Sequence, residues 1–235
     1  MKRKVVVRKD NPIVVTLKEA LRDVGPLPHE VAFLGVASDT LPVLFNMTDR
    51  DTSNIMIWDM VKGKGLKVLK VVSEFLFKHH SNDVVDAEFL VITQSPSDWE
   101  GLNQMGMGVN GKTSCIGVVP FYDEMTNKLL EGLVAWIHNQ SKHRGSRKPI
   151  MVLVDGLENM KDLDTDAQRN FHHILTTGRK HNVYVISTAM LKDGKDVEKW
   201  MGYIKYHVVA RPDNWFETRE SSGDTLLFFT PETEI

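Results

Sequence analysis

The sequence predicts an α/β fold in which a mostly parallel sheet carries helices on both faces. Short β-branched runs alternate along the chain with longer segments of helical period, which is typical of such a sheet. The most apolar run, residues 150–154, lacks polar alternation, as a central strand buried on both faces should. With 42% apolar residues in a length of 235, the chain can fill one large core.

The first part of the chain predicts a small hairpin, then a strand, a loop and a helix. Residues 31–36 and 41–46 are strand candidates joined by turn residues, so they predict a hairpin. Residues 54–58 are a buried strand candidate. Residues 66–77 repeat apolar side chains at steps of three and four, which indicates an amphipathic helix.

The rest of the chain continues the alternation, and we interpret the whole as a single domain. Residues 1–50 are expected to form a lead-in and hairpin packed on a main body of residues 51–235. The segment 94–113 is the most irregular part. The predicted strands are 88–93, 114–119, 150–154, 183–187, 205–210 and 226–229, and the predicted helices are 123–139, 166–177 and one around 197–201.

Charge argues against a general attraction to polyanions. The formal net charge is −2, so the fold has no overall positive field, and any nucleic-acid contact has to be local. The candidate for such a contact is the basic segment 142–148; the alternative is a solvated linker between a helix and a strand.

Composition also predicts a cytoplasmic location. The single cysteine, Cys115, excludes an intrachain disulfide framework and suits a reducing compartment. The apolar runs are of strand length, so we expect no membrane span. The histidine pairs 79–80 and 172–173 lack a partner four residues away or a nearby Cys/Asp cluster, and we predict no metal site.

One segment matches the letters of a phosphate-binding loop, G-x-x-x-x-G-K-S/T. It covers residues 106–113 and ends in Gly111, Lys112 and Thr113. Such a loop works between a strand and a helix, because the helix N-terminus then faces the phosphate. Here the next residues along the chain predict a strand. We therefore favour a glycine-rich surface loop over an anion site for this segment.

Residues 59–67 have the expected context but lack the expected letters. Gly63 and Gly65 stand as the inner glycines between a strand and a helix. Met60 then occupies the place of the first glycine, Leu66 that of the lysine and Lys67 that of the Mg²⁺-binding hydroxyl. The lysines that could still attract an anion to the helix N-terminus are Lys62, Lys64 and Lys67. The alternative is a solvated basic turn.

The remaining candidates lie at the ends of two later strands. Asp155 ends the most apolar strand, where a carboxylate could reach a Mg²⁺-bound water; alternatively it caps the next turn. The next position is Gly156, and Glu158 lies two residues further on. Ser187 and Thr188 end the next strand along the chain, at the place of a polar residue that senses a γ-phosphate.

The order of these pieces resembles the FtsK/HerA branch of the RecA-like ATPases over nearly the whole chain. The segments that carry the resemblance are 13–21, 27–36, 41–46, 150–155, 178–189 and 222–231. The resemblance implies a RecA-like fold, ATP with Mg²⁺ as cofactor, and hexameric rings that move DNA or polypeptides. This sequence departs from the family where Leu66, Lys67 and Gly156 replace the phosphate lysine, the Mg²⁺ hydroxyl and the catalytic glutamate.

These three losses predict a degenerate domain that does not hydrolyse ATP, because each missing group would stabilise charge in the transition state. We expect an interaction or scaffold module that works through protein partners or self-association and retains at most a weak affinity for ATP with Mg²⁺. One alternative is an active ATP-driven translocase of DNA or polypeptides that uses Lys112 and Thr113, or an unorthodox loop. The other is a nucleic-acid-binding module without catalysis that uses residues 142–148.

Overall fold

The computed structural model describes residues 15–22, 27, 30–47, 54–80, 87–104, 114–140, 148–219 and 225–235. The strands in these ranges are β1 (Val31–Ala37), β2 (Pro42–Asn46), β3 (Ile55–Asp59), β4 (Glu88–Thr93), β5 (Cys115–Pro120), β6 (Ile150–Asp155), β7 (Val183–Met190), β8 (Tyr206–Ala210), β9 (Phe216–Arg219) and β10 (Thr225–Phe229). The helices are α1 (Leu17–Arg22), α2 (Lys64–His80), α3 (Glu100–Gln104), α4 (Glu124–Gln140), α5 (Thr165–Thr177) and α6 (Gly194–Met201).

All of these strands belong to one sheet, in the order β2-β1-β10-β9-β8-β3-β7-β6-β4-β5. The six strands from β8 to β5 run parallel to one another, and the pairs among the other four strands are antiparallel. The mostly parallel α/β sheet and the N-terminal hairpin predicted from the sequence are therefore confirmed.

Alternating residues of the parallel strands point into two cores, one on each face of the sheet. In β6, for example, Met151 and Leu153 pack on the face covered by α2, whereas Val152 and Val154 pack on the face covered by α4, α5 and α6. All four side chains are fully buried. This two-sided burial explains why residues 150–154 are uniformly apolar.

The hairpin continues the main sheet. Strand β1 pairs with β10, and β10 reaches β8 through β9. The sequence pattern did not predict β9, a four-residue strand with the sequence Phe-Glu-Thr-Arg, which lacks the apolar/polar alternation of a typical strand. Within residues 94–104 the structure has a 3-10 turn at Pro96–Trp99 and then α3.

Parallel pairing places the carboxyl ends of β3, β7, β6 and β4 at one edge of the sheet. Asp59, Thr93 and Asp155 are the last residues of β3, β4 and β6. This edge is where an open α/β sheet usually binds ligands. Among the described residues no helix is both long and apolar enough to cross a membrane.

Candidate functional site: the loop after strand β3

The candidate site centres on the turn that joins β3 to α2 at this edge. The predicted order of strand, glycine loop and helix is present, with α2 beginning at Lys64. Gly63 has φ +85°, a left-handed conformation that a side chain would strain, so a glycine is needed there. Gly65 is buried in the first turn of the helix. The backbone N–H groups at this helix start have no intrahelical partners and are potential anion donors.

The carboxylate of Asp59 accepts hydrogen bonds from two backbone N–H groups of this turn. Its Oδ2 accepts the Gly63 N–H at 3.1 Å and its Oδ1 accepts the Gly65 N–H at 2.5 Å. Asp59 is only 5% exposed. The loop therefore folds around an anion that belongs to the chain itself.

Burial makes this carboxylate hard to ionise. Desolvation raises the pKa of Asp59 to about 6, although the hydrogen bonds from Gly65 and Gly63 act in the opposite direction. The nearby carboxyl groups of Asp155 and Glu158 contribute to this raised value, but less than burial does. Near neutral pH Asp59 is thus mostly ionised but held at an energetic cost.

The other residues of the loop direct their side chains elsewhere. Leu66 is half-buried and packs against the core on the α2 face, so the place predicted for a phosphate lysine holds an apolar side chain. The Nζ of Lys64 donates to Oδ1 of Asn214 in the turn between β8 and β9. Lys62 and Lys67 are exposed. Burial raises the pKa of Asp155, and the charge of Lys62 offsets a small part of this effect, so Lys62 acts on the site electrostatically.

Asp155 lies at the end of β6, beside the loop, and is held by two hydroxyl groups. Thr93 Oγ1 donates to its Oδ2 at 2.9 Å, and Thr188 Oγ1 donates to its Oδ1 at 3.3 Å. Burial raises the pKa of Asp155, while these two hydrogen bonds lower it. Both carboxylate oxygens are thus engaged by threonines of the neighbouring strands.

The structure separates the two residues predicted as sensors. Thr188 reaches the site, since it contacts Asp155 and its Oγ1 also accepts the Gly156 N–H at 2.9 Å. Ser187 is fully buried and donates to the Ile55 carbonyl of β3 at 3.2 Å, away from the loop. The sensor role of Thr188 remains a prediction. The hydroxyl of Ser187 is used in a hydrogen bond between β7 and β3 and does not reach the loop.

Gly156 and Glu158 complete the surroundings of Asp155. Gly156 has φ +90° and no side chain that could polarise a water. Glu158 lies in the 3-10 turn after β6, and burial raises its pKa, with Asp193 and Asp155 adding to the effect. Its Oε2 is buried without a hydrogen-bond partner. Asp59, Asp155 and Glu158 thus form a cluster of carboxyl groups that repel one another.

Other sequence candidates lie away from this cluster or outside the described residues. Gly111, Lys112 and Thr113 are outside the described residues; the next element along the chain is β5, entered through Ser114. Of the basic segment 142–148, only Lys148 is described. In the described ranges, no group of three or more His, Cys, Asp or Glu residues is arranged to hold a metal ion.

Three structures of secretion ATPases share this fold. The cytoplasmic domain of the type VII secretion ATPase EccC of Thermomonospora curvata matches 94% of this chain with a TM-score of 0.68 and 12% identity. ATPases 2 and 3 of the same EccC, in complex with a signal sequence peptide, match 95% with a TM-score of 0.63 and 14% identity. ATPases 2 and 3 of EssC from Geobacillus thermodenitrificans match 94% with a TM-score of 0.63 and 11% identity.

The chain has the fold of an FtsK/HerA-like P-loop ATPase domain. The RecA-like fold implied by the sequence resemblance is thereby confirmed at the level of the fold. The chain covers 32%, 44% and 45% of the three matched chains, so one unit of this ATPase fold corresponds to a third to a half of each. No protein-family model matches the chain, and no curated protein is significantly similar to it.

Sequence reasoning missed two residues of the site within the ATPase fold. Asp59 stood in the loop segment but was given no role, although an acidic residue at the end of an otherwise apolar strand is itself a signal of a special position. Thr93 ends β4 and lies beside Asp155 on the adjacent strand β6. The sequence alone does not show that these two strands are paired.

Proposed function

We propose that this chain is a domain with the ATPase fold that does not hydrolyse ATP and serves as an interaction or scaffold module of a larger assembly. The observation that carries the proposal is the carboxylate of Asp59 on the N–H groups of Gly63 and Gly65. A phosphate bound in this loop would need those same N–H donors, and its negative charge would be repelled by the ionised carboxylate.

The rest of the site supports the same conclusion. Catalysis of phosphoryl transfer depends on positioned charges: an ammonium on the phosphates, oxygen ligands for Mg²⁺ and a group that orients the attacking water. At the position predicted for the ammonium group, Leu66 has an apolar side chain that packs against the core. At the position predicted for a metal ligand, Lys67 has a positively charged side chain. Gly156 has no group for the water. The residues present do not fit a magnesium–triphosphate complex.

The nature of the module is inferred from the matched structures. They are parts of secretion ATPases that carry several such units, and one of them was solved with a signal sequence peptide. We therefore propose protein partners, a place within a multi-domain or multi-subunit assembly, and a cytoplasmic location, as in the cytoplasmic domain of EccC.

Turnover of Mg²⁺–ATP by the purified protein tests the proposal. We expect a rate at the background of the preparation and no change in Asp155→Ala. A rate above background that disappears in Asp155→Ala would overturn the proposal in favour of an active motor domain. Lys112→Ala should leave the affinity for a fluorescent ATP analogue unchanged; loss of binding would instead assign the site to residues 106–113.

The affinity measurement has an informative second variant. Asp59→Ala removes the carboxylate from the N–H groups of the loop while leaving the glycines in place. We expect it to bind the ATP analogue more tightly than the wild type, because the competing anion is gone. An equal or weaker affinity in a folded variant would mean that Asp59 does not block the loop.

A further inference from the structure

Two exposed surfaces of opposite charge lie on the carboxyl edge of the sheet. Among the described residues nine large apolar side chains are exposed, and five of them belong to these two surfaces. The basic patch consists of Met60, Val61, Lys62, Leu191, Lys192 and Lys195. The acidic patch consists of Tyr122, Asp123, Glu124, Met125 and Asp164. Clusters of exposed apolar side chains with charged neighbours are typical of interaction surfaces.

The basic patch is built from two adjacent turns. Strands β3 and β7 are paired, with Asp59 opposite Met190, so the turns that leave the two strands are neighbours. Met60, Val61 and Leu191 are 49%, 46% and 52% exposed. Lysines flank these apolar side chains in both turns. Asp193 lies between Lys192 and Lys195, so the three positive charges of the patch lysines and the one negative charge of this aspartate leave a formal charge of +2. The nearby Asp196 is already paired with Lys161 at 2.6 Å.

The acidic patch is built from the turn between β5 and α4. Tyr122 is 79% exposed and Met125 is 51% exposed. Asp123 caps the first turn of α4 by accepting the Met125 N–H at 2.8 Å. Asn127 on the same helix donates to Asp164 at 2.5 Å, which brings a further carboxylate beside the patch. Lys128 balances Glu124, at 2.9 Å, so a net negative charge remains on Asp123 and Asp164.

The spacing of the two patches results from the strand order. Strands β6 and β4 separate β7 from β5, so the centres of the patches lie roughly 15–20 Å apart along one edge of one sheet. A surface with complementary patches at its two ends can pair with a copy of itself, because a two-fold axis between the patches brings each one opposite the other.

We propose that two copies of this chain associate through this surface, so that the carboxyl ends of the parallel strands in one copy face those in the other. The basic patch of each copy contacts the acidic patch of the other, and the apolar side chains form the centre of both contacts. Opposite charges select this register over a shifted one, and five exposed apolar side chains per copy supply burial. The β3–α2 turn would lie within the interface. The inference rests on surface residues, three of which belong to this turn, and it concerns the protein without nucleotide.

The test uses charge reversal and mixing, read by sedimentation velocity over a range of protein concentrations. The wild type should dimerise, and more weakly at high salt. Lys192→Glu/Lys195→Glu should weaken dimerisation by at least about 100-fold, because acidic side chains then face the acidic patch. Asp123→Ser/Glu124→Lys should have the same effect; its serine retains an oxygen to cap α4.

Mixing the two variants distinguishes a specific contact from a general charge effect. In the mixed dimer every patch meets one of opposite charge, so dimers should reappear only in the mixture. Lys180→Glu/Lys205→Glu is the matched control, since both lysines are exposed near the opposite edge, before β7 and β8. A wild type that stays monomeric, variants that dimerise as the wild type does, or a mixture that stays monomeric while circular dichroism shows folded protein, would each overturn the proposal.

Discussion

Asp59 is a buried carboxylate whose hydrogen bonds stabilise the site, although its ionised form is costly there. Its two hydrogen bonds satisfy N–H groups that the start of α2 would otherwise leave without partners. Its burial and the neighbouring carboxyl groups of Asp155 and Glu158 oppose ionisation. Removing the charge should therefore relieve a cost that exists only where Asp59 is ionised.

The substitution Asp59→Asn tests this account through the pH dependence of stability. The folded pKa, about 6, lies above the ordinary pKa of 3.8, so the stability contributed by Asp59 is fully present below pH 3.8 and is lost as the pH rises through 6. The free energy of unfolding of Asp59→Asn relative to wild type should rise by about 2–3 kcal/mol between pH 4 and pH 7.5. Urea unfolding across this range measures the difference, and a flat difference would contradict the account.

At the scale of elements, the junction of β3 and α2 is packed too closely for side chains. A Cβ on Gly65 would lie 2.8 Å from Thr188 Cγ2, 2.9 Å from Asp59 Oδ1 and 3.1 Å from Ile57 Cγ2. The first turn of α2 thus rests directly on β3 and β7. This close approach lets the end of β3 place Asp59 on the helix N-terminus.

Gly65→Ala should lower the free energy of unfolding by about 1–3 kcal/mol, because the new methyl group has no room at the junction. Gly132→Ala is the matched control. Gly132 lies inside α4 with nothing within 4 Å of an added Cβ, so alanine should stabilise the protein by about 0.5–1 kcal/mol. Thermal or urea unfolding of both variants measures the two signs; a neutral or stabilising Gly65→Ala would show that the junction can relax.

At the scale of the molecule, one sheet joins the hairpin to the parallel strands. Strand β1 pairs with β10, and the same sheet supplies both cores. Phe45 of β2 packs edge-on against Tyr184 of β7, with ring centroids 5.6 Å apart, and the Tyr184 hydroxyl donates to the Met47 carbonyl. These contacts span the sequence boundary predicted between residues 50 and 51.

We therefore expect the chain to unfold as one cooperative unit. Urea transitions monitored by tryptophan fluorescence and by far-ultraviolet circular dichroism should coincide. Hydrogen exchange should expose the amides of β1 in the same transition as those of β6. An earlier, separate loss of protection in β1 would contradict this expectation and would instead divide the chain near residue 50.

Much of the fold could be predicted because periodicity is a local property of the sequence. Residues 150–154 are apolar at every position, and a parallel strand buried on both faces requires that pattern. The amphipathic period of residues 66–77 likewise predicts most of α2. Strand β9 has no such local signal. It is a strand because it pairs with β10 and β8 in the folded sheet.

The candidate site could be predicted only in part. The residue pattern alone predicts a glycine loop after a buried strand, and it predicts that Leu66, Lys67 and Gly156 stand where a hydrolysing enzyme needs other groups. The contacts of Asp59 with the loop, and those of Thr93 and Thr188 with Asp155, become visible only in the folded chain. The reason is physical: these contacts depend on which strands are neighbours in the sheet and on how a side chain turns at a strand end, and neither leaves a periodic trace in the sequence.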